Sequence, residues 1–131
     1  MLTNLIIVTL YVSDQDRALA FYTKSLGLEK GADNPGPEGR FLTVAPNDKS
    51  VQILLWPGNP GHGPAADAAP GPVFLASDDL RKEFEVLRSR GVEFVQPEPE
   101  DYAFGVRVTA LDPDGNRIEL RQLKPSRGRE S

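Results

Sequence analysis

The chain repeats itself. Ser13, Asp14, Arg17, Gly27 and Glu29 recur as Ser77, Asp78, Arg81, Gly91 and Glu93, each 64 positions later. The same spacing lays FLTVA (41–45) over GVRVT (105–109), and the longer DPDGN turn that follows slips the last strand by about three residues. Identities held in one register mark two copies of one supersecondary unit, and 131 residues hold both copies in a single domain. One copy alone leaves a sheet face bare, so two must cooperate to bury a core.

Within each copy the pattern is a strand, a helix, then further strands. LIIVTLYV is an apolar run rich in β-branched residues, and SDQD behind it supplies helix-starting side chains. Ser13 or Asp14 provides the N-cap, and Asp16 adds negative charge where the helix dipole favours it. Ala18, Leu19, Tyr22 and Leu26 recur at helical spacing and Gly27 ends the helix, which is expected over residues 14 to 26. ADNPGPEGR reads as turn material, and RFLTVAP and SVQILLWP read as two strands of a hairpin closed by PNDKS. PVFLASDDLRKEFEVLRSRGVEF repeats the plan, with Ser77 and Asp78 at the cap and Gly91 at the stop. Between the copies, GNPGHGPAADAAPGP (58–72) is too rich in Gly and Pro for a helix or a ladder. The expected boundaries are module one at 4–57, a linker at 58–71, module two at 72–123 and a frayed polar tail at 124–131.

Charge and composition exclude several classes of function. With 15 Lys plus Arg against 19 Asp plus Glu, the net charge of -4 offers no basic footprint for nucleic acid or an anionic membrane. No apolar run approaches the ~20 residues of a spanning helix, and the start lacks the features of a signal peptide, so a cytoplasmic protein is expected. The absence of Cys removes disulfides, thiolate metal sites and thiol nucleophiles together. The single histidine, His62, sits in the Gly- and Pro-rich loop, and no Ser-His-Asp arrangement, P-loop or dinucleotide fingerprint occurs.

If helices cover one face of the sheet, the other face forms a cup, and strand alternation says what lines it. Ile6, Val8, Leu10 and Val12 suit the helix side, which leaves Ile7, Thr9 and Tyr11 for the cup. Val106, Val108 and Ala110 leave Gly105, Arg107 and Thr109, and the repeat adds Phe41 and Thr43. Gln52, Leu54 and Trp56 share one parity, as do Glu119 and Arg121. A carboxylate at Glu119 between Ile118 and Leu120 needs a cation, which Arg107 or Arg121 can supply.

The segments VTLYVSDQDRALAFYTKSLGL, GVEF and LDPDGNRIEL, with an Asp-Gly or Gly-Asn type two-residue turn, resemble the vicinal oxygen chelate superfamily. That group includes glyoxalases, extradiol dioxygenases, and fosfomycin and bleomycin resistance proteins, and the resemblance covers residues 5 to 123. It implies an α+β fold of two tandem β-α-β-β-β modules forming a half-open, eight-stranded mixed cup with helices outside, and a homodimer. Its enzymes hold a divalent metal on the cup face with His, Gln or Glu from equivalent strands of both modules. The matching points here are Ile7, Pro72 or Gly71, Gln52 and Glu119, of which only the last two carry a donor side chain. One carboxylate and one amide fall short of the four firm ligands that zinc takes.

The expectation is therefore a protein without a metal cofactor that binds a small organic molecule, as bleomycin resistance proteins do, between modules or subunits. Tyr11, Phe41, Trp56 and Phe74 would supply aromatic walls, and Gln52, Arg107 and Glu119 polar contacts. Two alternatives stay open. One is an enzyme, a glyoxalase-like lyase or isomerase or a dioxygenase-related one, in which Gln52 and Glu119 hold a metal or Glu119 is a general base. The other is a non-catalytic assembly protein whose cup is filled by its own side chains.

Overall fold

A computed structural model of the chain describes residues 1–47, 51–58 and 71–124. His62, most of the linker, the end of the PNDKS turn and the tail beyond Lys124 lie outside the described residues. The protein is α+β, with two β-α-β-β-β modules in tandem. It divides into two compact units: module one together with the turn Asp112–Asn116, and the remainder of module two.

In the first unit, β1 (Ile7–Val12) leads into α1 (Gln15–Ala20), followed by β2 (Glu29–Asn34), β3 (Phe41–Ala45) and β4 (Gln52–Pro57). The sheet order is β1-β4-β3-β2, with β1 parallel to β4 and the other neighbours antiparallel. Asp14, rather than Ser13, caps α1: its Oδ1 accepts a hydrogen bond from Arg17 N at 3.0 Å. The expected 14–26 helix does not stay α-helical, because it widens into a π turn over Phe21–Ser25 before Gly27 ends it at φ 85°. Leu10, Val12, Ala18, Tyr22, Leu42, Val44, Ile53 and Leu55 are buried as its core, as the alternation requires.

ADNPGPEGR is not all turn, since β2 runs on to Asn34. Its register against β3 shifts between Lys30 and Asp33, and Thr43 Oγ1 accepts the Ala32 N–H at 2.8 Å within that irregularity. Arg40 then clamps the far end. Its Nε and Nη2 donate to the two Asp33 oxygens at 3.0 Å each, and this pairing holds the Asp33 carboxyl below the usual carboxylate range.

In the second unit, β5 (Val73–Ala76) leads into α2 (Leu80–Ser89), then β6 (Glu93–Phe94), β7 (Glu100–Tyr102), β8 (Gly105–Leu111) and β9 (Arg117–Leu123). The order is β5-β9-β8-β6, with β7 also on β8, and β5 is parallel to β9 as β1 is to β4. The described strands thus number nine instead of eight. The counterpart of β2 is broken into two pieces around Pro97 and Pro99, which have no N–H to give a ladder. Gln96 takes over there, its side-chain Oε1 accepting the Thr109 N–H at 2.8 Å. Asp79, one residue beyond the expected cap, accepts from Lys82 N at 3.3 Å, and Gly91 ends α2 at φ 91°.

The DPDGN hairpin is also wider than a two-residue turn. Asp112 N donates to Asn116 O at 3.0 Å and Gly115 N donates to Asp112 O at 2.9 Å, enclosing Pro113, Asp114 and a Gly115 at φ 84°. Asp112 Oδ1 accepts the Asp114 and Asn116 N–H groups at 2.9 and 2.8 Å, while Oδ2 accepts the Tyr22 hydroxyl at 2.7 Å. Asp114 accepts from Ser13 N at 3.1 Å, from the Ser13 hydroxyl and from Arg17 Nη2 at 3.1 Å. The turn is therefore a fixture of the first unit as much as a strand connector.

Candidate ligand-binding faces

Each sheet has one face on its helix and one face away from it. In the first unit the outer face carries Ile7, Thr9 and Tyr11 of β1 beside Gln52, Leu54 and Trp56 of β4, in one-to-one register. Tyr11 is 49% exposed and Phe41 39%, so these rings are open, with Trp56 half-buried between strands. Gln52 is held, its Oε1 accepting the hydroxyl of buried Thr43 at 2.6 Å. Gly31 permits that arrangement, because a Cβ there would stand 2.5 Å from Thr43 Oγ1 and 2.6 Å from Gln52 Oε1.

In the second unit the outer face is an alternation of charges and rings. Glu119 is 3% exposed and fully engaged: Oε2 accepts the Gly71 N–H at 2.8 Å, and Oε1 accepts the Thr109 hydroxyl at 2.9 Å and Arg121 Nη1 at 3.1 Å. The Arg121 guanidinium lies over the Phe74 ring at 4.9 Å and over the Tyr102 ring at 5.6 Å. Arg107 lies over the same Tyr102 ring at 4.9 Å and reaches Glu100 at 3.7 Å. Phe104, 70% exposed, meets Tyr102 edge-on at 5.9 Å between centroids. Of the two arginines considered for Glu119, the partner is Arg121; Arg107 belongs to Glu100 and Tyr102.

The family described as the Glyoxalase/Bleomycin resistance protein/Dioxygenase superfamily matches residues 5–120. The chain belongs to this superfamily. It is 31% identical to TnmS3, an antibiotic binding protein from Streptomyces sp. CB03234, with a TM-score of 0.79 over 94% of this chain and 98% of that one. A superfamily member from Sphaerobacter thermophilus DSM 20745 is 32% identical, with a TM-score of 0.80 over 92% and 98% of the two chains. A probable chloroplastic lactoylglutathione lyase of Arabidopsis thaliana is 31% identical over 88% of this chain, which spans 34% of that protein.

Enzymes of the glyoxalase superfamily imply a divalent cation, and the residues at the matching points do not fit one. The strand register pairs Ile7 with Gln52 and Phe74 with Glu119, and Pro72 lies seven residues before its helix cap Asp79 as Ile7 does before Asp14; proline, like isoleucine and phenylalanine, offers no ligand side chain. Neither Ile7 nor Phe74 has a donor atom. Gln52 Oε1 already accepts from Thr43, and both Glu119 oxygens accept from protein donors, one of them a guanidinium. Among the described residues no three His, Asp or Glu side chains gather to hold an ion. Nor is any described helix long and apolar enough to cross a membrane.

Phe74, Arg107 and Glu119 share the outer face of the second unit, and Tyr11, Phe41, Gln52 and Trp56 that of the first. Two members of the second face escape the sequence reading: Tyr102 stands in a three-residue strand too short for a period to register, and Phe104 in the turn after it. The signal for Arg121 was its shared parity with Glu119 on β9, which places both on one face.

Proposed function

We propose that the protein is a metal-independent binding protein that sequesters a small, planar organic molecule, in the manner of the antibiotic-binding members of its superfamily. The observation that carries this reading is Arg121 bound to Glu119 at 3.1 Å and lying over the exposed Phe74 ring. A guanidinium supplies the positive charge that an ion would otherwise bring, and it also gives a flat surface continuous with Phe74 and Tyr102. Such a surface recognises a flat ligand by stacking and area burial. Tyr11, Phe41 and Trp56 offer a second aromatic surface on the first unit. Similarity to TnmS3 supports the same class of ligand. A cytoplasmic homodimer is part of this reading.

Two measurements test it together. Titration calorimetry against planar antibiotics and quinones should find saturable binding that Phe74→Ala weakens at least tenfold. Metal analysis of protein purified without chelator should find no stoichiometric nickel, zinc, iron or manganese. A stoichiometric metal, or activity on a hemithioacetal that Glu119→Gln abolishes, would favour the lyase reading that the Arabidopsis similarity supports.

A further inference from the structure

We propose that Arg107 makes this face selective for planar ligands that carry an anionic group, such as an aromatic carboxylate; the proposal rests on the binding reading above and names its ligand class. The charges of the face do not have equal standing. Glu119 and Arg121 neutralise each other at 3.1 Å, with side chains 4% and 15% exposed, and Glu119 has further donors from Thr109 and Gly71. That pair is closed to exchange.

Arg107 differs in each respect. Its side chain is 45% exposed, its contact with Glu100 is a long 3.7 Å, and the Glu100 side chain is itself 48% exposed. Exposed pairs of this kind contribute little, so a ligand anion can displace Glu100 at small cost. The Tyr102 ring under Arg107 at 4.9 Å holds the guanidinium plane ready for an acceptor. An aromatic acid lying against this cluster of rings brings its carboxylate to that guanidinium. A neutral analogue gains only the stacking, and a cationic one meets Arg107 and Arg121 together, which sit directly opposite each other on β8 and β9.

Calorimetry with anthraquinone-2-carboxylate, its neutral hydroxymethyl analogue and its cationic aminomethyl analogue tests the inference. The expected order is acid, neutral, amine, with about tenfold between the first two, as one charge-assisted hydrogen bond gives. Arg107→Gln should bring the acid down to the level of the neutral compound, while Glu100→Gln should tighten the acid. Circular dichroism and Tm confirm that both variants fold. Equal affinity of acid and neutral compound in the native protein, or a preference that survives Arg107→Gln, overturns the selectivity and leaves the binding reading standing. No binding by any of the three probes overturns both.

Discussion

Arg107 and Arg121 stand directly opposite each other on β8 and β9, and both guanidinium groups lie over the single ring of Tyr102. Two like charges at facing positions of a ladder repel. Here the ring between the strands' side chains attracts both, and Glu119 and Glu100 flank them with opposite charge. Tyr102→Ala should therefore destabilise the second unit by about 1 to 3 kcal/mol, more than the loss of a half-buried ring alone, in urea denaturation. Tyr102→Phe, which keeps the ring face, should cost far less.

The Glu119–Arg121 pair is buried, so removing one partner strands the other. Arg121→Ala and Glu119→Ala should each cost about 3 to 5 kcal/mol. Replacing both by Leu and Met should recover most of that loss, and a double-mutant cycle by urea denaturation checks it. A pair that mattered only to ligand would show no such coupling in the free protein.

Gly71 donates its N–H to Glu119 and lies against the backbone of the neighbouring strand, where a Cβ would come within 2.1 Å of Arg117 O. Backbone cannot swing aside as a side-chain tip can. Gly71→Ala should lower Tm by several degrees for each kcal/mol lost and weaken the Glu119 contact, whereas Gly115→Ala meets no atom within 4 Å and suffers only its unfavourable φ.

Tyr22 supplies a pH dependence. Burial first, then the charge and hydrogen bond of Asp112, push its phenol above its ordinary value of 10.0 in the folded state. The folded protein keeps the proton while the unfolded chain releases it, so the stability is fully present below pH 10 and declines as pH rises above that. Tyr22→Phe should cost about 1 to 3 kcal/mol at neutral pH and flatten the alkaline limb of a stability-against-pH curve. An alkaline limb unchanged in Tyr22→Phe would count against this.

Asp114 holds Ser13 and Arg17 at the start of α1. Asp114→Ala should cost about 1 to 2 kcal/mol, measurable by thermal denaturation, although the residue lies far along the chain from that helix.

How much of this was legible beforehand follows from the range of each interaction. The two modules and the burial of Leu10, Val12, Val108 and Ile118 rest on local period and on repetition, which a sequence displays, whereas the parallel pairing of first and last strands does not. The choice of Arg121 over Arg107 for Glu119 depends on which neighbour on a face is nearer, and parity alone treats them alike. The register that sets Phe74 beside Glu119 joins strands far apart in the chain, and such a pairing leaves no local period to read. The split of the strand around Pro97 and Pro99 was visible in the prolines themselves.

The turn Asp112–Asn116 has a consequence for any attempt to divide the chain. The first half of the sequence takes from the second the acceptor for its buried Tyr22 hydroxyl. Severed from residues 112–116, an N-terminal fragment would enclose that hydroxyl with nothing to receive its proton.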